Sequence, residues 1–276
     1  MNLKRKKYNI TRQVMDRTLN NILYETSEYE DYEAFVNAKD KIIGKAHNNK
    51  GIGTLSEKTL HAVLKLYYEP DEDKHEVAMS GYYADIYNDK GIIEIQTRQL
   101  NKLRDKLSVF LQDYHVTVVY PLPFNKWLSW VNPDNGEVQG RRKSPRHFTE
   151  YDAFYELYKI KSYLKNPNLS INLVLMDMEE YKLLNGWSYD KKRGSTRYDR
   201  VPVGIRRIVK FDRIEDYMQL VPADLKEDFT VKDFAMAAGG SVEASRYTLN
   251  ILNYLEIVKR TGRVKNGYVY NVTEEF

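Results

Sequence analysis

Asp85 and Glu94 are the residues whose types and spacing most directly suggest chemistry. They stand in Gly81-Tyr-Tyr-Ala-Asp85-Ile-Tyr-Asn-Asp-Lys-Gly-Ile-Ile-Glu94-Ile-Gln96-Thr97, which reads as two short strands joined at Asn88-Asp89-Lys90-Gly91. The flanks are rich in Ile and Tyr, which suit a pleated, half-buried surface. Pairing Tyr87 with Ile92 sets Ile86 against Ile93, Asp85 against Glu94 and Ala84 against Ile95. One face, Ala84, Ile86, Ile93 and Ile95, is then core, and the other carries Asp85, Glu94 and Gln96. Like charges directly opposed on antiparallel strands repel. A divalent cation would turn that repulsion into a binding site, since Mg²⁺ takes one or two carboxylates and fills its shell with water and phosphate. Such an ion can bridge a phosphate oxygen and activate a water for in-line attack. Glu94 and Gln96 share a strand face, so Gln96 would sit beside that water or the phosphate. The plainer alternative is a pair of solvated strand carboxylates with no ion.

The elements that must hold these residues follow from periodicity. A helix is expected from about Leu55 to Tyr68, ending before Pro70, with Leu60, Val63, Leu64 and Tyr67 inward. Strands are expected over 76–87 and 92–97. An amphipathic helix follows over 99–112, then a buried strand at Val116-Thr-Val-Val-Tyr120, closed by Pro121 and Pro123. Further on, 126–131 and 171–176 read as strands, Asn132-Pro-Asp-Asn-Gly136 as a turn and 150–164 as a helix. Two basic segments stand out: a loop at Arg141-Arg142-Lys143-Ser-Pro-Arg146, and the stretch 190–210 with Arg193 and Arg197.

This order of helix, Asp85 strand, Glu94-Ile-Gln96 strand, helix and strand resembles the core of the PD-(D/E)xK nuclease superfamily. The resemblance covers roughly residues 51–120. It implies a restriction-endonuclease-like α/β fold, a mixed central sheet flanked by helices, and Mg²⁺- or Mn²⁺-dependent hydrolysis of DNA. The family's Asp falls on Asp85, its Asp/Glu on Glu94 and its Lys on Gln96. A neutral amide there is a departure, and Arg98 or Lys102 could supply the missing charge. The family's additional helix carboxylate falls on Glu57. That residue also fits a capping box with Thr54, and the two roles are compatible. Lys65, further along the same side of that helix, could touch phosphate.

The last ~60 residues change character. Thr230 and Ser241 each suit the N-cap of a helix, separated by Gly239-Gly240. A hairpin with Lys259, Arg260, Arg263 and Lys265 closes the segment. This helix, helix, basic-hairpin order matches a winged helix-turn-helix. Arg246 and Asn250 lie at outward positions of its recognition helix, and Arg260, Arg263 and Lys265 belong to the wing. With Arg141, Arg142, Arg193 and Arg197, these side chains are the candidate nucleic-acid contacts. A winged helix also serves as a protein-contact module, so a partner protein is an alternative to DNA.

Composition sets the outer bounds. The chain has 276 residues, 42% hydrophobic and 30% charged, with a formal net charge of +4. Three segments are expected: a helical region over 1–50, the nuclease-like domain over 51–212 and the winged helix over 213–276. No apolar run approaches the ~20 residues that cross a bilayer, and the basic start Met1-Asn-Leu-Lys-Arg-Lys-Lys7 is not followed by a secretory h-region. The absence of cysteine excludes disulfides, thiolate zinc sites and cysteine nucleophiles, and fits a reducing cytoplasm. Phosphate-binding loops, nucleophile elbows and His-x-x-x-His spacing are also missing. The leading expectation is a metal-dependent DNA endonuclease, with a homodimer favoured if both strands are cut. The alternative is a non-catalytic DNA-binding protein built on a degenerate nuclease-like core.

Overall fold

The computed structural model of the protein describes residues 31–48, 59–185, 196–265 and 267–273. Glu57 and Arg193, both expected at functional positions, lie outside the described residues, as does the proposed Thr54 cap.

The chain is an α/β protein whose central mixed sheet is flanked by helices. The helices before the sheet are α1 (Tyr32–Asn48) and α2 (Thr59–Tyr68). The strands are β1 (His75–Met79), β2 (Tyr82–Asn88), β3 (Gly91–Ile95), β4 (Val116–Val131), β5 (Val138–Lys143), β6 (Leu169–Leu183) and β7 (Thr196–Phe211). Their order is β1-β2-β3-β4-β6-β7, with β5 paired to β4. Helix α3 (Arg104–Asp113) connects β3 to β4, which run parallel, whereas β2 and β3 are antiparallel. A second sheet, β8-β10-β9, is built from β8 (Phe229–Thr230), β9 (Val258–Val264) and β10 (Gly267–Val272), with helices α4 (Val231–Ala237) and α5 (Val242–Tyr254) beside it in sequence.

The chain divides into two compact units, each made from three separated segments. The first comprises Met1–His75, Pro123–His147 and Val174–Arg207, and the second Glu76–Leu122, Phe148–Leu173 and Ile208–Phe276. In the first, Ile43, Val131, Tyr181 and Val201 form a buried apolar cluster. In the second, Ala84, Ile86, Ile93 and Ile95 are all buried, together with Leu107 and Phe110 of α3.

The β2–β3 hairpin forms for local reasons. Asn88 Oδ1 accepts the Lys90 N–H at 3.0 Å, which closes the turn. Gly91 then takes φ +100°, a conformation L side chains avoid. A Cβ at that position would stand 2.4 Å from the His115 carbonyl oxygen, so glycine is also what lets β3 approach β4.

Several elements differ from the expected ones. β4 does not stop at Pro121 and Pro123 but continues to Val131. Its ladder with β3 ends at Ile95↔Val119, and its ladder with β5 begins at Trp127↔Lys143. The two prolines fall between these ladders, where their lack of an N–H is tolerated. The basic segment at 141–146 is partly strand: Arg141, Arg142 and Lys143 belong to β5. β6 runs seven residues past Met176, through Asp177, Glu179 and Glu180. Each of those charges has a basic partner inside the fold. Arg197 lies on strand β7.

The tail packs on the helical run 150–163 within the second unit. Tyr151 donates to the Leu220 carbonyl at 3.0 Å and meets Phe234 edge-on at 5.8 Å. Thr230 and Ser241 cap α4 and α5, as their residue types suggested.

Candidate active site

The hairpin places Asp85 and Glu94 on neighbouring strands of the second unit. The observed register is Asn88↔Gly91, Tyr87↔Ile92 and Ile86↔Ile93, and Asp85 and Glu94 are the residues just beyond the last of these pairs on each strand. Asp85 Oδ2 accepts the Ile95 N–H at 2.7 Å, which fixes that carboxylate against the start of the β3 exit. Glu94 is 2% exposed. It accepts a hydrogen bond from the Asp85 backbone.

Lys106 of α3 completes the cluster, and its side chain was not anticipated. Its Nζ lies 3.0 and 2.9 Å from the two oxygens of Glu94 and donates to the Tyr83 carbonyl at 2.6 Å. The sequence held a signal for it. Lys106 falls three residues after Leu103 and four before Phe110, both buried, so it borders the inward face of α3. A lysine there needs an anionic or carbonyl partner.

These neighbours set the protonation of Glu94. Burial, and after it the like charge of Asp85, push its carboxyl up to about 7, against the opposing pull of the Lys106 ammonium. A carboxyl poised near neutrality beside a cation is suited to bind a metal or exchange a proton at working pH.

Gln96, expected beside the water or the phosphate, is half-buried at the end of β3. Its amide donates to the backbone carbonyls of Arg98 and Gln99, tying down the turn after β3. Gln99 there has φ +57°. Arg98 and Lys102 are exposed, and the cation on Glu94 is neither of them. Lys65 is 6% exposed, buried in α2 rather than offered to a phosphate, because that helix hides seven of its ten residues.

The other candidates divide between the units. In the first, Arg141 binds Glu179 at 2.7 Å and stacks over Trp127 at 5.1 Å. Arg142 stacks over Trp130 at 5.3 Å. Arg197 reaches Glu180 at 3.4 Å. Burial depresses the Lys126 ammonium, and Glu180 at 3.5 Å opposes that effect. Asp177, fully buried, accepts from Arg206 at 2.7 Å and from the Asn125 amide at 2.9 Å. This buried charge network went unread in the sequence. In the second unit, Arg260 and Arg263 cover Tyr268 at 4.1 and 4.6 Å, and Asn250 accepts from Lys161 at 3.1 Å. Arg246, Arg260 and Lys265 line a cavity of about 660 Å³ bounded by α4, α5 and the β9–β10 hairpin.

The donor chemistry of Asp85 and Glu94, hard carboxylate oxygens, fits Mg²⁺. Among the described residues, however, no group of three or more His, Asp or Glu side chains could hold a metal ion. No described helix is long and apolar enough to cross a membrane.

An uncharacterized protein of Treponema pallidum (strain Nichols) is 28% identical over 208 residues, covering 73% of this chain and 79% of its own length. No solved structure matches the chain. A family model described as a domain of unknown function, DUF8091, matches residues 58–212, which take in the Asp85–Glu94 hairpin and Lys106, and the chain belongs to that family.

Proposed function

We propose that this protein is a metal-dependent nuclease that hydrolyses DNA phosphodiester bonds, with a PD-(D/E)xK-like core and a C-terminal winged helix. The observation that carries the reading is the buried Glu94 carboxylate on the strand beside that of Asp85, held by Lys106. Asp85 and Glu94 would hold Mg²⁺, which supplies Lewis acidity and an activated water when bound. Lys106 would take the place of the cation missing at position 96, neutralising charge beside the reacting phosphate. Gln96 would act indirectly, by fixing the backbone of the 96–99 turn. The capped helix pair and the arginine-bearing hairpin support a winged helix that grips DNA through its backbone.

The test is nicking of supercoiled plasmid with added Mg²⁺ or Mn²⁺. Asp85→Ala and Glu94→Ala should each lower the rate by more than about a hundredfold while DNA is still retained. Equal cleavage by the double variant refutes the assignment.

A second reading has its own support. Lys106 already engages both oxygens of Glu94, and the Gln96 amide is tied to backbone carbonyls. Both features suit a silent core in a DNA-binding protein. Such a protein binds DNA without metal, loses affinity steeply with salt, and nicks nothing.

A further inference from the structure

Three tyrosine rings gather on the second unit, outside the carboxylate site. Tyr155 and Tyr158 are 50% and 42% exposed. Tyr247 of α5 meets both edge-on, at ring-centre distances of 5.2 and 5.5 Å. Ammonium groups sit among the rings: Lys159 is 4.4 Å from the centre of Tyr155, and Lys161 is 5.1 Å from Tyr158 and 5.0 Å from Tyr254.

The same helix carries this cluster into the basic cavity. Asn250, which accepts from Lys161, lines that cavity with Arg246, Arg260, Lys265 and Tyr268. The described lining also includes Lys232 and contains no carboxylate. Glu156, beside Tyr155 in sequence, is paired with Lys159, and Glu256 with Lys165. One helix face therefore links exposed aromatic rings to a cationic hollow.

That combination matches a polyanion whose flat groups are accessible. A duplex hides its base faces in the stack, whereas an unpaired strand presents them to aromatic side chains. We propose that α5 and the run 150–163 bind an unpaired polynucleotide strand, with bases on Tyr155, Tyr158 and Tyr247 and phosphates in the Arg246–Arg260–Lys265 cavity. This deepens the nuclease reading and rests on its polynucleotide substrate, adding that the strand held at α5 is single.

The experiment uses the full chain in EDTA, so that nothing is cut, and follows fluorescence anisotropy of labelled oligo(dT) and of a blunt duplex. Oligo(dT) should bind at least about tenfold more tightly than the duplex, as base stacking on several rings requires. The double variant Tyr155→Ala, Tyr158→Ala should lose on the order of thirtyfold in oligo(dT) affinity, and the corresponding Phe pair should stay within about twofold of wild type. Both side chains are exposed, so neither change removes core packing. Equal binding of duplex and oligo(dT), unchanged affinity of the Ala pair, or no binding of either nucleic acid overturns the proposal. Turnover is scored separately on plasmid with Mg²⁺. A chain that holds oligo(dT) through its tyrosines but never cuts upholds this inference and refutes the nuclease. A chain that cuts while its oligo(dT) affinity ignores the tyrosines does the reverse.

Discussion

Lys106 Nζ touches both carboxylate oxygens of Glu94, at 3.0 and 2.9 Å, from a helix that begins ten residues after the glutamate. Of the charges around Glu94, it is the one that keeps the carboxyl from rising still further. Lys106→Met should therefore move the Glu94 titration above 7, as read by carboxyl carbon NMR. On the nuclease proposal, Mg²⁺-dependent cleavage should fall by about tenfold or more, because the neutral acid binds a cation poorly.

Asp85→Asn acts in the opposite sense on the same group. It removes the like charge and lowers the Glu94 titration below 7, with burial still holding it above the ordinary carboxylate range. On the proposed assignment cleavage should still be lost, because an oxygen donor to the metal loses its charge. A variant with the lowered titration and full activity would separate the two roles and exclude Asp85 from the site.

Glu94 also gives the fold a pH dependence. Its carboxyl titrates at about 7 in the fold against an ordinary 4.5. Below pH 4.5 the folded and unfolded chains both hold the proton. Between 4.5 and 7 the folded state holds more, so stability falls as pH rises, and above 7 the loss is complete at about 3 kcal/mol. Glu94→Gln removes this slope. Urea unfolding at pH 5 and pH 8 should show the variant losing about 2 kcal/mol less than wild type across that interval.

Gly91→Ala tests the hairpin itself. The substitution puts an L residue at φ +100° and a methyl group against the His115 carbonyl. A destabilisation of about 3 kcal/mol or more is expected in urea unfolding. A cost near 1 kcal/mol would mean that β3 and β4 are not held in the observed register.

Arg206→Ala tests the charge network of the first unit. It leaves Asp177, fully buried, without its guanidinium partner. Removing one member of such a pair costs about 3–5 kcal/mol. Asp177→Asn in the Arg206→Ala background should recover part of that loss, since the buried charge is then gone.

The sequence made the β2–β3 hairpin legible because its signals are local. Asn88 and Gly91 specify the turn, and alternation of Ile with polar residues specifies the faces, so the register from Asn88↔Gly91 to Ile86↔Ile93 could be read directly. The capped helices α4 and α5 were legible for the same reason. The length of β4 was not, since Pro121 and Pro123 normally end a strand and are tolerated here only because of where β3 stops and β5 begins. Lys106 was missed because its partner lies twelve residues away on another element, and helical periodicity alone marks it as a border position. Asp177, Glu179 and Glu180 were unreadable as core because their neutralising partners, Arg206, Arg141 and Lys126, come from distant strands.

The assembly of each unit from three separated segments also governs how this chain can be made. During synthesis the first unit lacks part of its own sequence until Val174–Arg207 emerges, and the second until Ile208–Phe276 does. The Asp85–Glu94 hairpin meets α3 and β4 soon after it is made, whereas the rest of its unit, Phe148–Leu173 and Ile208–Phe276, is translated later. Fragments cut at consecutive sequence boundaries therefore leave both units incomplete.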